Sequence, residues 1–203
     1  MSSTILPPPF TAPTSVNFPQ PKRWTSDEFH QLGDAGLLRE KTLILVSGEI
    51  LEMPPAGGPH DVALTLLDDM IRKVFSSGFV VRCQMSLVLG KSTDPVPDLA
   101  VVQGTARAFV QKPTTAALVV EVSDSSLDFD TGDKACLYAS AGITDYWVVD
   151  LVNRRLMVFR DPRADAAKAF GFEYATITVR QPGDRMSPLA AAGSQIAVAD
   201  LLP

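Results

Sequence analysis

An α/β domain with a mixed central β-sheet flanked by α-helices is the fold class this sequence predicts, and three features predict it. Apolar residues at Val62, Leu64, Leu67, Ile71 and Val74 recur at helical spacing, whereas residues 79–89, 99–102 and 145–150 carry the β-branched, alternating or continuous apolar patterns of strands. Residues 116–120 form an unbroken apolar run, the composition of a strand buried on both faces. Finally, the elements follow the order helix, hairpin, helix, three strands, helix, strands, which suits one sheet with helices packed against it.

The chain of 203 residues, 46% of them hydrophobic, is long enough for one globular domain over residues 23–203 with a substantial core. Ahead of it, residues 1–22 carry Pro7, Pro8, Pro9, Pro13, Pro19 and Pro21 among serines and threonines. That composition predicts a disordered tail; an arm docked across a partner subunit is the alternative. Order is expected to begin at Trp24. Thr25 as N-cap and Glu28 three residues on make a capping box, Trp24 and Phe29 a hydrophobic staple, and the helix runs to about Asp34.

Residues 43–46 and 49–53 read as a hairpin, with Gly48 supplying positive φ in the turn. Glu49 stands at the tip side, either reaching toward a site or facing solvent. A Pro/Gly loop over residues 54–59 leads to His60 at the mouth of the second helix, a local hydrogen-bonding residue or one that positions a phosphate or water. The long strand expected over residues 79–89 contains Gln84, a polar residue among apolar ones. Residues 130–142 read as a single helix of about three turns, capped by Asp130 or Thr131 and closed by Gly142. Strands follow at residues 145–150, 154–159 and 173–179, with Trp147 in the core, and residues 185–203 form an extended cover.

Chemistry concentrates where the apolar pattern is broken. The buried run at 116–120 continues into Glu121, and an unpaired carboxylate at that depth costs several kcal/mol, so a cation, a metal or a hydrogen-bond network is expected beside it. Asp98, after Pro97, opens the run 99–102, so two strands each carry an acid at one end. Lys134 falls in the first turn of the following helix. Its side chain tilts toward the helix N-terminus and so toward the strand that bears Glu121; alternatively it forms an exposed pair with Asp130 four residues earlier.

Pro97-Asp98, Glu121 and a lysine displaced onto the next helix resemble the migrated form of the PD-(D/E)xK nuclease motif. More narrowly the chain resembles the Uma-two family of endonucleases, from Trp24 to about Asp150. The resemblance rests on Gly48-Glu-Ile-Leu-Glu-Met-Pro54, His60, Asp94-Pro-Val-Pro-Asp98, Val119-Val-Glu-Val-Ser-Asp-Ser-Ser-Leu127, Asp130, Lys134, Tyr138 and Ala141-Gly-Ile-Thr-Asp-Tyr-Trp-Val-Val-Asp150. Two positions depart from the pattern. Ser123 stands where the standard motif has its lysine, leaving Lys134 for that role, and Ile44 stands where the family has an early acid, leaving Glu49 alone there.

The resemblance implies a restriction-endonuclease-like core and a Mg²⁺- or Mn²⁺-dependent endonuclease cleaving nucleic acid, DNA first among the candidates. Asp98, Glu121 and the Val122 carbonyl would hold the ion. Asp98, Glu121 and Lys134 would be catalytic, with Glu49, His60, Gln84, Ser123 and Tyr138 as accessory residues. A homodimer is compatible with it. No apolar run approaches the ~18 residues of a membrane span, and the N-terminus has no signal-peptide pattern, so a cytoplasmic protein without membrane partners is expected. Cys83 and Cys136, without metal-like spacing, read as reduced core residues.

The formal charge of −5 argues against a protein that holds nucleic acid by electrostatics alone, although Arg72, Lys73, Arg82, Lys91, Arg107 and Lys112 could form a local basic rim. The same charge, together with Ile44, keeps a second function class open: a catalytically silent nuclease fold used for binding or assembly.

Overall fold

The structure is a computed structural model that describes residues 19–38 and 42–203. Most of the expected tail, residues 1–18, lies outside the described residues; residues 19–22 are irregular and exposed. The elements are α1 (Ser26–Asp34), β1 (Leu43–Val46), β2 (Glu49–Glu52), α2 (Gly58–Val74), β3 (Phe79–Cys83), β4 (Leu99–Gln103), β5 (Leu118–Ser123), α3 (Leu127–Thr131), α4 (Asp133–Ser140), β6 (Asp145–Asp150), β7 (Arg155–Ala164) and β8 (Phe172–Arg180), then β9 (Arg185–Met186) and β10 (Ile196–Ala197). No helix among the described residues is long and apolar enough to cross a membrane.

Six strands form the central sheet in the order β3-β4-β5-β6-β7-β8, antiparallel throughout except for the parallel pair β5–β6. A parallel neighbour needs a crossover, which α3 and α4 provide. The period-2 alternation of the strands divides the core in two. Leu118, Val120 and Val122 of β5 face α2 through Leu67 and Ile71, together with Trp147 and Val149 of β6. Val119 faces the opposite side with Tyr146 and Val148, against Tyr138 and Ala139 of α4. Parity therefore sends Glu121 to the α4 side, and this is how the sheet decides where its chemistry lies. The C-terminal cover is present: Ile196, Val198 and Leu201 join the α2-side core, and the buried Asp145 carboxylate ties it down by accepting the Leu189 N–H at 2.8 Å.

The capping box at Thr25 and Glu28 forms as expected. The β1–β2 turn places both Ser47 (φ 49°) and Gly48 (φ 80°) in the left-handed region, the type I′ geometry that matches hairpin twist. Gly48 is required there twice over, because a Cβ would lie 2.9 Å from Arg23 Cβ. The hairpin joins the rest through a Leu45–Asp94 bridge, and the buried Asp94 carboxylate is met by His30 and by Lys112 Nζ at 3.5 Å.

Three expectations are corrected. The strand expected over residues 79–89 stops at Cys83, because its partner β4 begins at Leu99 and the next residue, Gln84, turns to φ 48° and gives its N–H to the Asp98 carbonyl. The single helix expected over residues 130–142 is two, α3 and α4, separated by Gly132 at φ −102° and ψ −99°. Val62, placed on the apolar face of α2, is 50% exposed, and Ala63 takes the buried position instead.

Candidate active site

Asp98 and Glu121 meet because of strand register. Leu99 pairs with Val120 and Ala100 with Val119, so continuing β4 and β5 by one residue sets Asp98 opposite Glu121. The two are laced together: the Asp98 N–H points at Glu121 Oε2 at 3.3 Å, and the Val122 N–H donates to Asp98 Oδ2 at 2.8 Å. His60, in the first turn of α2, brings Nε2 to 3.2 Å from the same Asp98 oxygen, and Gln84 Nε2 reaches Asp98 Oδ1 at 3.4 Å.

Glu121 is buried, and Oε1 accepts the Tyr138 hydroxyl at 2.7 Å. Lys134, only 5% exposed, sets Nζ 3.1 Å from Glu121 Oε1 and 3.1 Å from Asp130 Oδ1. The two readings of Lys134 thus merge: it points back at Glu121 and pairs with Asp130, and that pair is buried, not solvated. Asp130 in turn accepts the Ser126 hydroxyl on Oδ2 at 2.5 Å.

Burial pushes the Glu121 carboxyl up to about 7, with Lys134 opposing the rise and Asp98 and Asp130 adding to it. For Lys134, burial alone would lower the ammonium; the Glu121 and Asp130 carboxylates outweigh it, and its pKa is raised. Asp98 goes the other way from its neighbour. Burial would raise it, but His60 and the Val122 N–H hold it below the usual carboxylate value, while the Asp98 hydrogen bond raises His60. The two adjacent carboxyls thus shift in opposite directions, a pattern found both at functional sites and in buried ion-pair networks.

The raised Glu121 has a measurable consequence for stability. Between 4.5 and about 7 the folded state holds a proton that the unfolded chain has released, so stability falls as pH rises across that window, by roughly 3 kcal/mol. Urea unfolding of the metal-free protein from pH 5 to 8 should show this decline, and Glu121→Gln should make it shallower, leaving the contribution of the raised His60 above pH 6.5. A parent curve as flat as that of the variant would contradict a buried, proton-holding Glu121.

These groups line a cleft of about 430 Å³ between the 53–57 loop, the 124–126 loop and the strand ends. Asp98, Glu121, Val122, Lys134, His60 and Gln84 all reach it. Tyr138 and Ser123 do not line it. Tyr138 touches Glu121 from the buried side, and the fully buried Ser123 places Oγ 3.5 Å from Ser126 Oγ. Glu49 is elsewhere: it is exposed at the β1–β2 turn in an ion pair with Arg23, so of its two readings the solvent-facing one holds. None of the six candidate rim cations lines the cleft, whose one lysine or arginine among the described residues is Lys134. Asp130 and Ser126 also line it without having been singled out as site residues. The Asp130–Lys134 spacing was the available signal, and burial gives it meaning.

The donor set suits a hard divalent cation. Two carboxylates with the Val122 backbone beside them offer oxygen ligands, and no group of three or more His, Cys, Asp or Glu able to hold a metal occurs among the described residues. Oxygen donors of this kind are the ligand type that hard cations such as Mg²⁺ and Mn²⁺ take.

The fold is shared with a solved structure, described as a putative nuclease belonging to DUF820 from Anabaena variabilis ATCC 29413. It matches with a TM-score of 0.63 at 15% identity, covering 88% of this chain and 97% of that one. No curated protein matches the sequence. A family model described as "Uma2: Putative restriction endonuclease" matches residues 26–199, from the first residue of α1 to the C-terminal cover, and the chain belongs to that family.

Proposed function

We propose that the protein is a metal-dependent endonuclease that hydrolyses phosphodiester bonds of nucleic acid, DNA in the first instance, with residues 23–203 as a single nuclease-like domain. The observation that carries this reading is the convergence of Asp98 and Glu121 in one cleft with the Lys134 ammonium 3.1 Å from Glu121. Membership of a family described as restriction endonucleases supports it.

Asp98, Glu121 and the Val122 carbonyl would hold Mg²⁺ or Mn²⁺. When bound, such an ion lowers the pKa of a water and stabilises charge on a phosphoryl oxygen. The remaining work falls to side chains of this chain. His60 and the Val122 N–H fix the Asp98 carboxylate, and Tyr138 fixes Glu121, so both acids are aimed before a ligand arrives. Lys134 directs a permanent positive charge into a largely water-excluded corner, where it can orient the attacking water or stabilise charge building on the phosphate. Gln84, exposed at the cleft wall, offers an amide to a water or phosphate oxygen.

A second reading, a nuclease fold that binds without cutting, is favoured by one observation: among the described residues the cleft has a single Lys or Arg to meet phosphates, on a chain of net charge −5. Calorimetric Mn²⁺ titration combined with cleavage assays on single- and double-stranded DNA and RNA separates the two. The nuclease reading expects saturable Mn²⁺ binding and metal-dependent cleavage of at least one substrate. Mn²⁺ binding with no cleavage of any of the four selects the silent module, and no Mn²⁺ binding removes the metal-dependent mechanism.

A further inference from the structure

Asp130 is a buried charge at the cleft for which the mechanism above has no use. It is 1% exposed, and its carboxylate lies 3.1 Å from Lys134 Nζ on one oxygen and accepts the Ser126 hydroxyl on the other. We propose that Asp130 is the positioning residue of Lys134, holding its ammonium at the cleft when the Glu121 charge is turned to a divalent cation. The proposal rests on the assignment of Asp98 and Glu121 as cation ligands.

Lys134 contacts two carboxylates equally closely, at 3.1 Å each. In the metal-free protein either would keep it in place. If Glu121 held a divalent cation, its charge would no longer serve Lys134, and a second positive charge would lie nearby. Coulomb repulsion in a poorly solvated corner would then drive the ammonium away unless another fixed anion retained it. Asp130 is the neighbour able to do so.

The backbone around Asp130 is built to keep it there. Its N–H donates to the Ser126 carbonyl at 2.9 Å, and its own carbonyl accepts the hydroxyl of the fully buried Tyr146 at 2.8 Å. Between Asp130 and Lys134 the chain breaks from α3 to α4 at Gly132, where a Cβ would lie 2.6 Å from the Asp128 carbonyl oxygen. Four-residue spacing on one helix would give an ordinary surface pair. Here the pair spans two helices, and both of its members point into the cleft wall.

The test uses the full chain, the variants Asp130→Asn and Ser126→Ala, and the ¹⁵N ammonium resonance of Lys134, assigned by its absence in Lys134→Met. In the parent the resonance should persist, protected, with and without saturating Mg²⁺. In Asp130→Asn it should persist without Mg²⁺, because Glu121 still holds the lysine, and vanish into rapid exchange when Mg²⁺ is added. Cleavage should follow, with kcat falling about 100-fold, the cost of a reacting group misplaced by about 1 Å, while KM and Mn²⁺ affinity move by less than about threefold. In the Lys134→Met background Asp130→Asn should change kcat by less than about twofold, because residues acting as a unit are not additive. A purely structural role would give additive losses instead.

Ser126→Ala, a milder change that leaves every charge in place, should lower kcat about fivefold by loosening Asp130, again only when Lys134 is present. If Mg²⁺ shifts parent resonances around the cleft and the Lys134 signal survives in Asp130→Asn, the positioning role is overturned and the cation reading stands. If Mg²⁺ perturbs nothing in the parent, the cation reading fails and this proposal fails with it.

Discussion

Asp98→Asn should abolish metal-dependent cleavage and weaken Mn²⁺ binding by about 100-fold or more, because one of the two proposed charged oxygen ligands becomes a neutral amide. The change keeps the shape of the side chain but not its hydrogen-bonding role. Asp98 Oδ2 accepts from the Val122 N–H and faces His60 Nε2, while Oδ1 faces the Gln84 amide, so an asparagine must present one NH₂ group where a carboxylate oxygen had a donor. A stability loss of about 1–2 kcal/mol is therefore expected even without metal. The depressed Asp98 pKa has the same sign: ionised Asp98 favours the folded state above its unfolded pKa, and the variant lacks that contribution. Calorimetry on the folded variant is the check. Mn²⁺ affinity equal to that of the parent would remove Asp98 from the ligand set, and with it the pairing with Glu121 across β4 and β5.

That pairing illustrates what could be read from the chain and what could not. The continuous run into Glu121 marks a two-faced buried strand, and all six residues of β5 are buried. The tilt of helical side chains is enough to aim Lys134 back at Glu121, and the 3.1 Å separation agrees. Strand limits were less legible, because a strand ends where its partner ends: residues 84–89 carry strand-like composition, yet β4 provides no residue to pair with them. The break at Gly132 was hidden for a similar reason. Local propensity over residues 130–142 favours one helix, whereas the bond from Tyr146 to the Asp130 carbonyl, contributed from β6, helps to set the break. Glu49 shows the limit of motif likeness, since resemblance places an acid in a hairpin but Arg23, 26 residues away in sequence, decides where that acid points.

Lys134→Met should be the more damaging substitution, for stability as well as for chemistry. A solvated Lys134 would cost less than about 1 kcal/mol to replace. The side chain is instead buried between Glu121 and Asp130, themselves 2% and 1% exposed, so methionine fills the space of the stem and strands two carboxylates without their cation. Removing one partner of such a group costs about 3–5 kcal/mol. The loss should depend on pH in a definite direction. Glu121 already titrates near 7 with Lys134 opposing the rise, so its pKa must climb further in the variant. A carboxyl raised in the folded state loses stability as pH rises from its unfolded value through its folded one, so the variant should lie closest to the parent near pH 5 and fall furthest behind above pH 7. Urea denaturation at pH 5 and pH 8 measures the difference. Cleavage should fall by about 1,000-fold, as expected when an electrostatic contact to the transition state is removed in a shielded site. Mn²⁺ binding should survive at pH 8, because an ammonium is not a ligand for hard cations and the ion can displace the proton that the further raised Glu121 holds. Lost cleavage with retained Mn²⁺ affinity would place Lys134 in the chemical step. Parental cleavage rates in folded Lys134→Met would rule the mechanism out, and equal stability losses at both pH values would show that the Glu121 carboxyl does not feel the lysine.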